Sequence, residues 1–266
     1  MGIGGKLNME SSTVSEVNLA ALVSVCSQCS EQIGVRIMHI TSITRRLGMA
    51  AITLVATAAA SLGIATPEAA AAPARDPILF VHGWQGSASN WDYMWGRFLN
   101  AGYSADEMAR FSYDSSQSNK DIAVEVKAQV DSLRAKTGAA KVDIITHSMG
   151  GLNSRWYLKN LDGLGFVDDW VSIGGPNHGT DAANGCADAS CVEMRVGSAF
   201  LTELNSTDET PGRVNYGTWW SPCDEIINPD ESTILSGAAN TRTLCLGHLA
   251  LLSSSPVFEG VRDFVK

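Results

Sequence analysis

From residue 76 onward, short apolar runs alternate with amphipathic stretches. Asp76–Gly83 reads as an apolar strand ending in His82-Gly83, followed by the glycine-bearing loop Trp84-Gln85-Gly86-Ser87. Ser89–Leu99 then has Trp91, Met94, Trp95 and Phe98 at helical spacing, with Gly102 as the stop. Met108–Tyr113 predicts a short strand, and Ser118–Thr137 a long helix whose stripe is Ile122, Val126, Val130 and Leu133, with Gly138 beyond it. The β-branched run Val142–Thr146 predicts a buried strand that stops at His147-Ser148-Met149-Gly150-Gly151; Leu152, Trp156, Tyr157 and Leu161 follow at helical spacing. Further strands are expected at Phe166–Ile173, Val214–Trp220 and Thr241–Leu246, and a terminal helix at Pro256–Val265; residues 177–212 are less regular. Alternating strands and helices, with nearly all strands apolar, predict an α/β fold: one mostly parallel sheet covered by helices on both faces.

The first part of the chain has another pattern. A small positive region, Thr44-Arg45-Arg46, precedes an Ala-rich apolar stretch, Leu47–Ala65, and then the small residues of Pro67–Ala74. That order is a secretory signal peptide over residues 38–71, starting at Met38 and cleaved near Ala71. A transmembrane anchor is the rival, and the scarcity of Leu in the run weighs against it. Residues 1–37 are read as a mis-assigned or unstructured extension, and residues 72–266 as one exported domain with no stable membrane insertion. The net charge of −9 opposes a nucleic-acid surface. The six Cys then divide by compartment. Cys26 and Cys29 fall in the leader, without the strand and helix a redox motif requires. Cys186, Cys191, Cys223 and Cys245 remain in an exported chain, where two disulfides are the default and three pairings are open. A four-Cys zinc site is the rival, disfavoured by the absence of close pairs; no metal or organic cofactor is expected.

A strand, a sharp turn carrying a serine and a helix are the context of a nucleophile elbow, G-x-S-x-G. Ser148 is the candidate nucleophile; Gly150 fills the second small position, and Thr146 stands where the motif has its first glycine. A helix N-cap is the alternative role for Ser148. Parallel sheets place reactive groups at the carboxyl ends of their strands. Ser148, Asp224 and His248 fall there in the chain order of α/β-hydrolases. His178 is the rival base, His82 and His147 are read as buttresses, and Asp208 and Asp230 as solvated loop charges. Pairing Cys186 with Cys191 and Cys223 with Cys245 is preferred, because the second bond would clip the acid loop to the base loop.

Several segments in the same order carry a family resemblance: Val81-His82-Gly83-Trp84, Val142–Gly151, Tyr157–Gly163, Ser221-Pro222-Cys223-Asp224 and Gly247–Leu252. From about Pro77 to the C-terminus the chain resembles a small, lid-poor, secreted triacylglycerol lipase of the α/β-hydrolase superfamily, of actinobacterial type. The resemblance implies a minimal α/β-hydrolase fold, the triad Ser148, Asp224 and His248, and an oxyanion hole from the N–H groups of Trp84 and Met149. It implies an ester or lipid substrate, no cofactor and a monomer. A short-chain esterase, polyester hydrolase, phospholipase or acyltransferase would share the scaffold. A non-catalytic binding protein on that scaffold should have lost a triad member, and none is missing.

Overall fold

A computed structural model describes residues 75–266. The stretch expected to be a signal peptide, the extension before it and the Cys26/Cys29 pair lie outside the described residues. Among these residues six strands form one sheet: β1 (Ile78–Val81), β2 (Met108–Arg110), β3 (Val142–His147), β4 (Val167–Ile173), β5 (Asn215–Trp220) and β6 (Ala239–Arg242). Their order is β2-β1-β3-β4-β5-β6, and all five pairings are parallel. Among the described residues six α-helices connect or follow them: α1 (Asp92–Asn100), α2 (Asn119–Thr137), α3 (Gly150–Asn160), α4 (Ala189–Met194), α5 (Ala199–Leu204) and α6 (Ser255–Phe264).

Strand residues alternate between two cores because successive side chains point to opposite faces. Ile78 and Phe80 of β1 pack with Ile145, Val171 and Trp219 against Met94 and Phe98 of α1 and Val257, Phe258 and Val261 of α6. Leu79 and Val81 pack on the opposite face with Ile144 and Trp170, against Val126 and Val130 of α2, Leu152 and Trp156 of α3, and Phe200 of α5. A strand apolar on both faces is buried on both faces, which is why β1, Ile78-Leu79-Phe80-Val81, reads as a continuous apolar run. Helix α2 has clear punctuation. The Ser118 hydroxyl accepts from Lys120 N–H at its start, and Gly138 ends it in the left-handed region at φ 74°.

The last strand differs from expectation. Pairing with β5 runs through Ala239–Arg242 and ends with a bond from Thr243 N–H to Trp220 O at 2.8 Å, and residues 244–246 leave the sheet. Thr243–Leu246 imitates a strand in its β-branched and apolar content, but the Ser221 hydroxyl holds it as a loop, accepting from Leu246 N–H at 2.8 Å and donating to Leu246 O at 2.6 Å. The true edge strand is exposed at all four positions and so sends no apolar signal. Residues 177–212, expected to be irregular, contain a 3₁₀ turn (Asp181–Gly185) and the short helices α4 and α5. Cys186 is bonded to Cys191, and Cys223 to Cys245. No helix among the described residues is long and apolar enough to cross a membrane.

Candidate active site

Ser148 is the first of the two hinge residues, Ser148 and Met149, that join β3 to α3. Its φ is 54°, in the left-handed region that a non-glycine residue enters only under constraint. The hinge is held on both sides: Ser148 N–H donates to Ile173 O of β4, and Ser148 O accepts from Gly151 N–H, both at 3.0 Å. The crossing is too tight for side chains. A Cβ on Gly150 would stand 2.5 Å from Val81 O and 2.6 Å from His82 O, which is backbone that cannot move aside cheaply. Thr146, in place of the motif's first glycine, is accommodated because its hydroxyl donates to Val171 O at 2.8 Å and so is satisfied within the sheet.

Asp224 and His248 come together on the loops after β5 and β6. His248 Nδ1 lies 2.8 Å from Asp224 Oδ2, and both residues are about 5% exposed. The other carboxylate oxygen, Oδ1, accepts from the N–H groups of Ile226 and Ile227 at 3.0 and 2.9 Å. This is the Asx-type turn that an Asp readily forms with its own following backbone. Glu225 adds a contact that sequence reasoning missed: its carboxylate accepts the His248 backbone N–H at 3.0 Å. The Asp–His pair and Ser148 flank the same turn, Ile173-Gly174-Gly175. A Cβ on Gly174 would meet Asp224 Oδ2 at 3.2 Å and His248 Cε1 at 3.4 Å, and one on Gly175 would lie 3.5 Å from Ser148 O. No hydrogen bond joins Ser148 to His248 in this structure; such bonds commonly tighten only with substrate in place.

The loop after β1 lies against the serine. A Cβ on Gly83 would stand 2.7 Å from Ser148 Cβ and 3.3 Å from its Oγ. Among the described residues, neither Trp84 N–H nor Met149 N–H has a protein acceptor. The Met149 side chain is core, fully buried against α2 and α3, whereas the half-buried Trp84 indole donates to Asp188 at 3.1 Å just before α4. The other histidines are engaged elsewhere. His178 is 2.7 Å from Glu209. His147 is buried with Nε2 3.3 Å from His248 O and its ring 4.5 Å from the His248 ring; burial, then the nearby His248, hold it well below the usual histidine range. Neither Asp208 nor Asp230 bonds a histidine, and Asp208 sits on a loop whose carbonyls clamp Lys159. Among the described residues no group of three His, Cys, Asp or Glu side chains could hold a metal.

Residues 75–243 match the family described as Lipase (class 2), which is more than half of the chain. The chain belongs to the class 2 lipase family. The match takes in Ser148 and Asp224 and ends five residues before His248. Solved structures agree on the fold. The mature form of the Bacillus licheniformis lipase BlEst2 is similar at 20% identity and a TM-score of 0.65, over 73% of this chain and 93% of that one. Aspergillus fumigatus lipase B is similar at 19% identity and a TM-score of 0.59, over 70% and 53%. Phospholipase PlaB from Legionella pneumophila is similar at 14% identity and a TM-score of 0.60, over 73% and 60%. The lipase therefore has an α/β-hydrolase fold and is a lipolytic carboxylic ester hydrolase.

The end of the sheet opposite Ser148 is acidic. Asp143 of β3 is 2% exposed, and its carboxylate accepts from Asp169 N–H at 3.1 Å. Burial, with the Asp169 and Asp76 carboxylates, pushes its carboxyl up to about 9. Burial likewise pushes Asp169 up to about 6, against the pull of its hydrogen bond from Asn215. Perturbed carboxyls often mark active sites. Here they belong to the scaffold, because Asp143 enters β3 at the end away from Ser148.

Proposed function

We propose that the chain is a secreted triacylglycerol lipase acting through an acyl-enzyme on Ser148. The observation that carries the chemistry is the pairing of a strained serine at a strand–helix hinge with a buried Asp–His pair across the same turn. His248 takes the Ser148 proton through Nε2 as Oγ attacks the ester carbonyl. Asp224 holds the proton on Nδ1, fixes the ring and stabilises its cationic form. The oxyanion is met by the N–H groups of Trp84 and Met149, whose lack of a protein acceptor leaves both available. The alcohol departs with the proton from His248, and water releases the fatty acid.

Preference for water-insoluble esters is supported by Ile226, Leu244 and Leu249, which are 40%, 76% and 65% exposed on the loops that carry Asp224 and His248. Export is supported by the signal pattern of residues 38–71 and by the two disulfides. The test is hydrolysis of nitrophenyl esters from acetyl to palmitoyl, then of emulsified triacylglycerol, by residues 72–266 with Ser148→Ala as control. Long-chain and triacylglycerol turnover, reduced at least about ten-thousand-fold in the control, is the expected result. Preference for acetyl or butyryl would move the assignment to an esterase or polyester hydrolase. Full turnover by the folded control would remove Ser148 from the mechanism.

A further inference from the structure

His82 is buried beside the proposed oxyanion loop, and its ring is wired to groups with fixed roles. Nε2 faces the Tyr113 backbone N–H at 3.3 Å, which can only donate. Nδ1 faces Gly83 O at 2.8 Å, which can only accept. One state satisfies both: a neutral imidazole with its proton on Nδ1. A protonated ring, or the other neutral tautomer, would set an Nε2–H against the Tyr113 N–H. The ring also stacks on Tyr113, with centroids 3.9 Å apart and planes 7° from parallel.

The acceptor is the key to what this wiring does. Gly83 O belongs to the same peptide unit as Trp84 N–H. Because a peptide is planar, holding its oxygen also aims its N–H. Gly83 O has a second anchor in Gly86 N–H at 3.1 Å. The hydrogen bonds run head to tail, from Tyr113 N–H through the imidazole to Gly83 C=O and out at Trp84 N–H, an arrangement in which each bond polarises the next.

We propose that His82 is a positioning residue that fixes and polarises the Gly83–Trp84 peptide so that Trp84 N–H meets the oxyanion, through a neutral Nδ1–H tautomer. It acts through that peptide and does not touch the substrate. This rests on the assignment of Ser148 as nucleophile and Trp84 N–H as oxyanion donor.

The test separates hydrogen bonding from packing. His82→Asn places an amide N–H where Nδ1–H stood and abandons the ring. His82→Phe keeps a ring on Tyr113 and abandons the donor. Each is assayed for kcat and KM on a soluble ester, with active sites counted by stoichiometric phosphonylation of Ser148. The Phe variant should lose about 10- to 100-fold in kcat per active site with little change in KM, a fraction of what loss of a whole oxyanion donor costs. The Asn variant should stay within about threefold of the parent in kcat, although it is the less stable of the two. A Phe variant at parental kcat, or an Asn variant as slow as Phe, would overturn the role of His82. The parent protein gives an independent reading: 15N–1H correlation at about pH 7 should find the His82 proton on Nδ1, and a proton on Nε2 would overturn the proposal. Retained activity in Ser148→Ala would instead sink the underlying assignment, so the two failures are distinguishable.

Discussion

Replacing Asp224 by Asn changes one atom, and the structure says which. Two backbone N–H groups, from Ile226 and Ile227, point at Oδ1. The Asn side chain must keep its carbonyl oxygen there, since its NH2 would face two donors. The NH2 therefore occupies the Oδ2 position, 2.8 Å from His248 Nδ1. A donor at that place forces His248 to present Nδ1 as acceptor and to carry its proton on Nε2, the nitrogen that receives the Ser148 proton in the proposed mechanism. The base is then blocked while its geometry is intact. Loss of the correct tautomer in a serine triad costs about four decades of rate, or roughly 5 kcal/mol of barrier. Because the Oδ1 turn survives, the variant should melt close to the parent. Asp224→Ala, which loses that turn, should melt lower. The assay is kcat/KM on a soluble ester beside thermal unfolding for all three proteins. An Asn variant within tenfold of the parent would refute the tautomer argument, and one as unstable as Ala would refute the proposed orientation of its amide.

Three further outcomes follow from the scaffold. Asp143 has a folded pKa of about 9 against 3.8 for the free group, so between those values the folded protein keeps a proton that the unfolded chain has released. Stability therefore falls as pH rises through that window, by a ceiling of about 4 kcal/mol at pH 7. Asp143→Asn should raise the melting temperature at pH 8 and flatten its pH slope with catalysis unchanged; an unaltered slope would rule Asp143 out as its source. Removing the Cys223–Cys245 bond, which spans 22 residues, should cost about 3 kcal/mol, and removing Cys186–Cys191, which spans 5, about 2, measured by denaturant unfolding. Gly150→Ala must displace Val81 O and His82 O, so it should lower both melting temperature and activity, whereas Gly151→Ala crowds the Ser172 hydroxyl, at 3.1 Å, and otherwise meets Asn177 and Thr146 oxygens at an ordinary 3.5 Å, and should be milder in both assays.

What the sequence disclosed tracks what local chemistry determines. The elbow was legible because strand, serine and glycine are adjacent in the chain, and α2 because its stripe and both caps are local. Strand β6 was misplaced because an edge strand with four exposed side chains has no buried face to announce it. The acid loop held a missed local clue, since Asp224 followed by Glu225-Ile226-Ile227 is a ready Asx turn. The His82 tautomer, the Asp188 tie to Trp84 and the Asp143–Asp169 contact were not legible, because each joins residues at least 26 positions apart.

The two margins of the sheet are β2, three residues long, and β6, four. An unpaired strand edge is a template on which a second chain can add itself, and long apolar edges are the usual starting point of β-aggregation. Here neither margin offers more than a few free backbone groups. On β6 the sequence Asn240-Thr241-Arg242 is polar and charged, and Asn240 turns its amide back on Leu235 and Ala238. Apolar side chains are therefore displayed beside Asp224 and His248, on loops that provide no ladder for another strand. A lipase can in this way expose apolar side chains to water without offering its sheet to its neighbours.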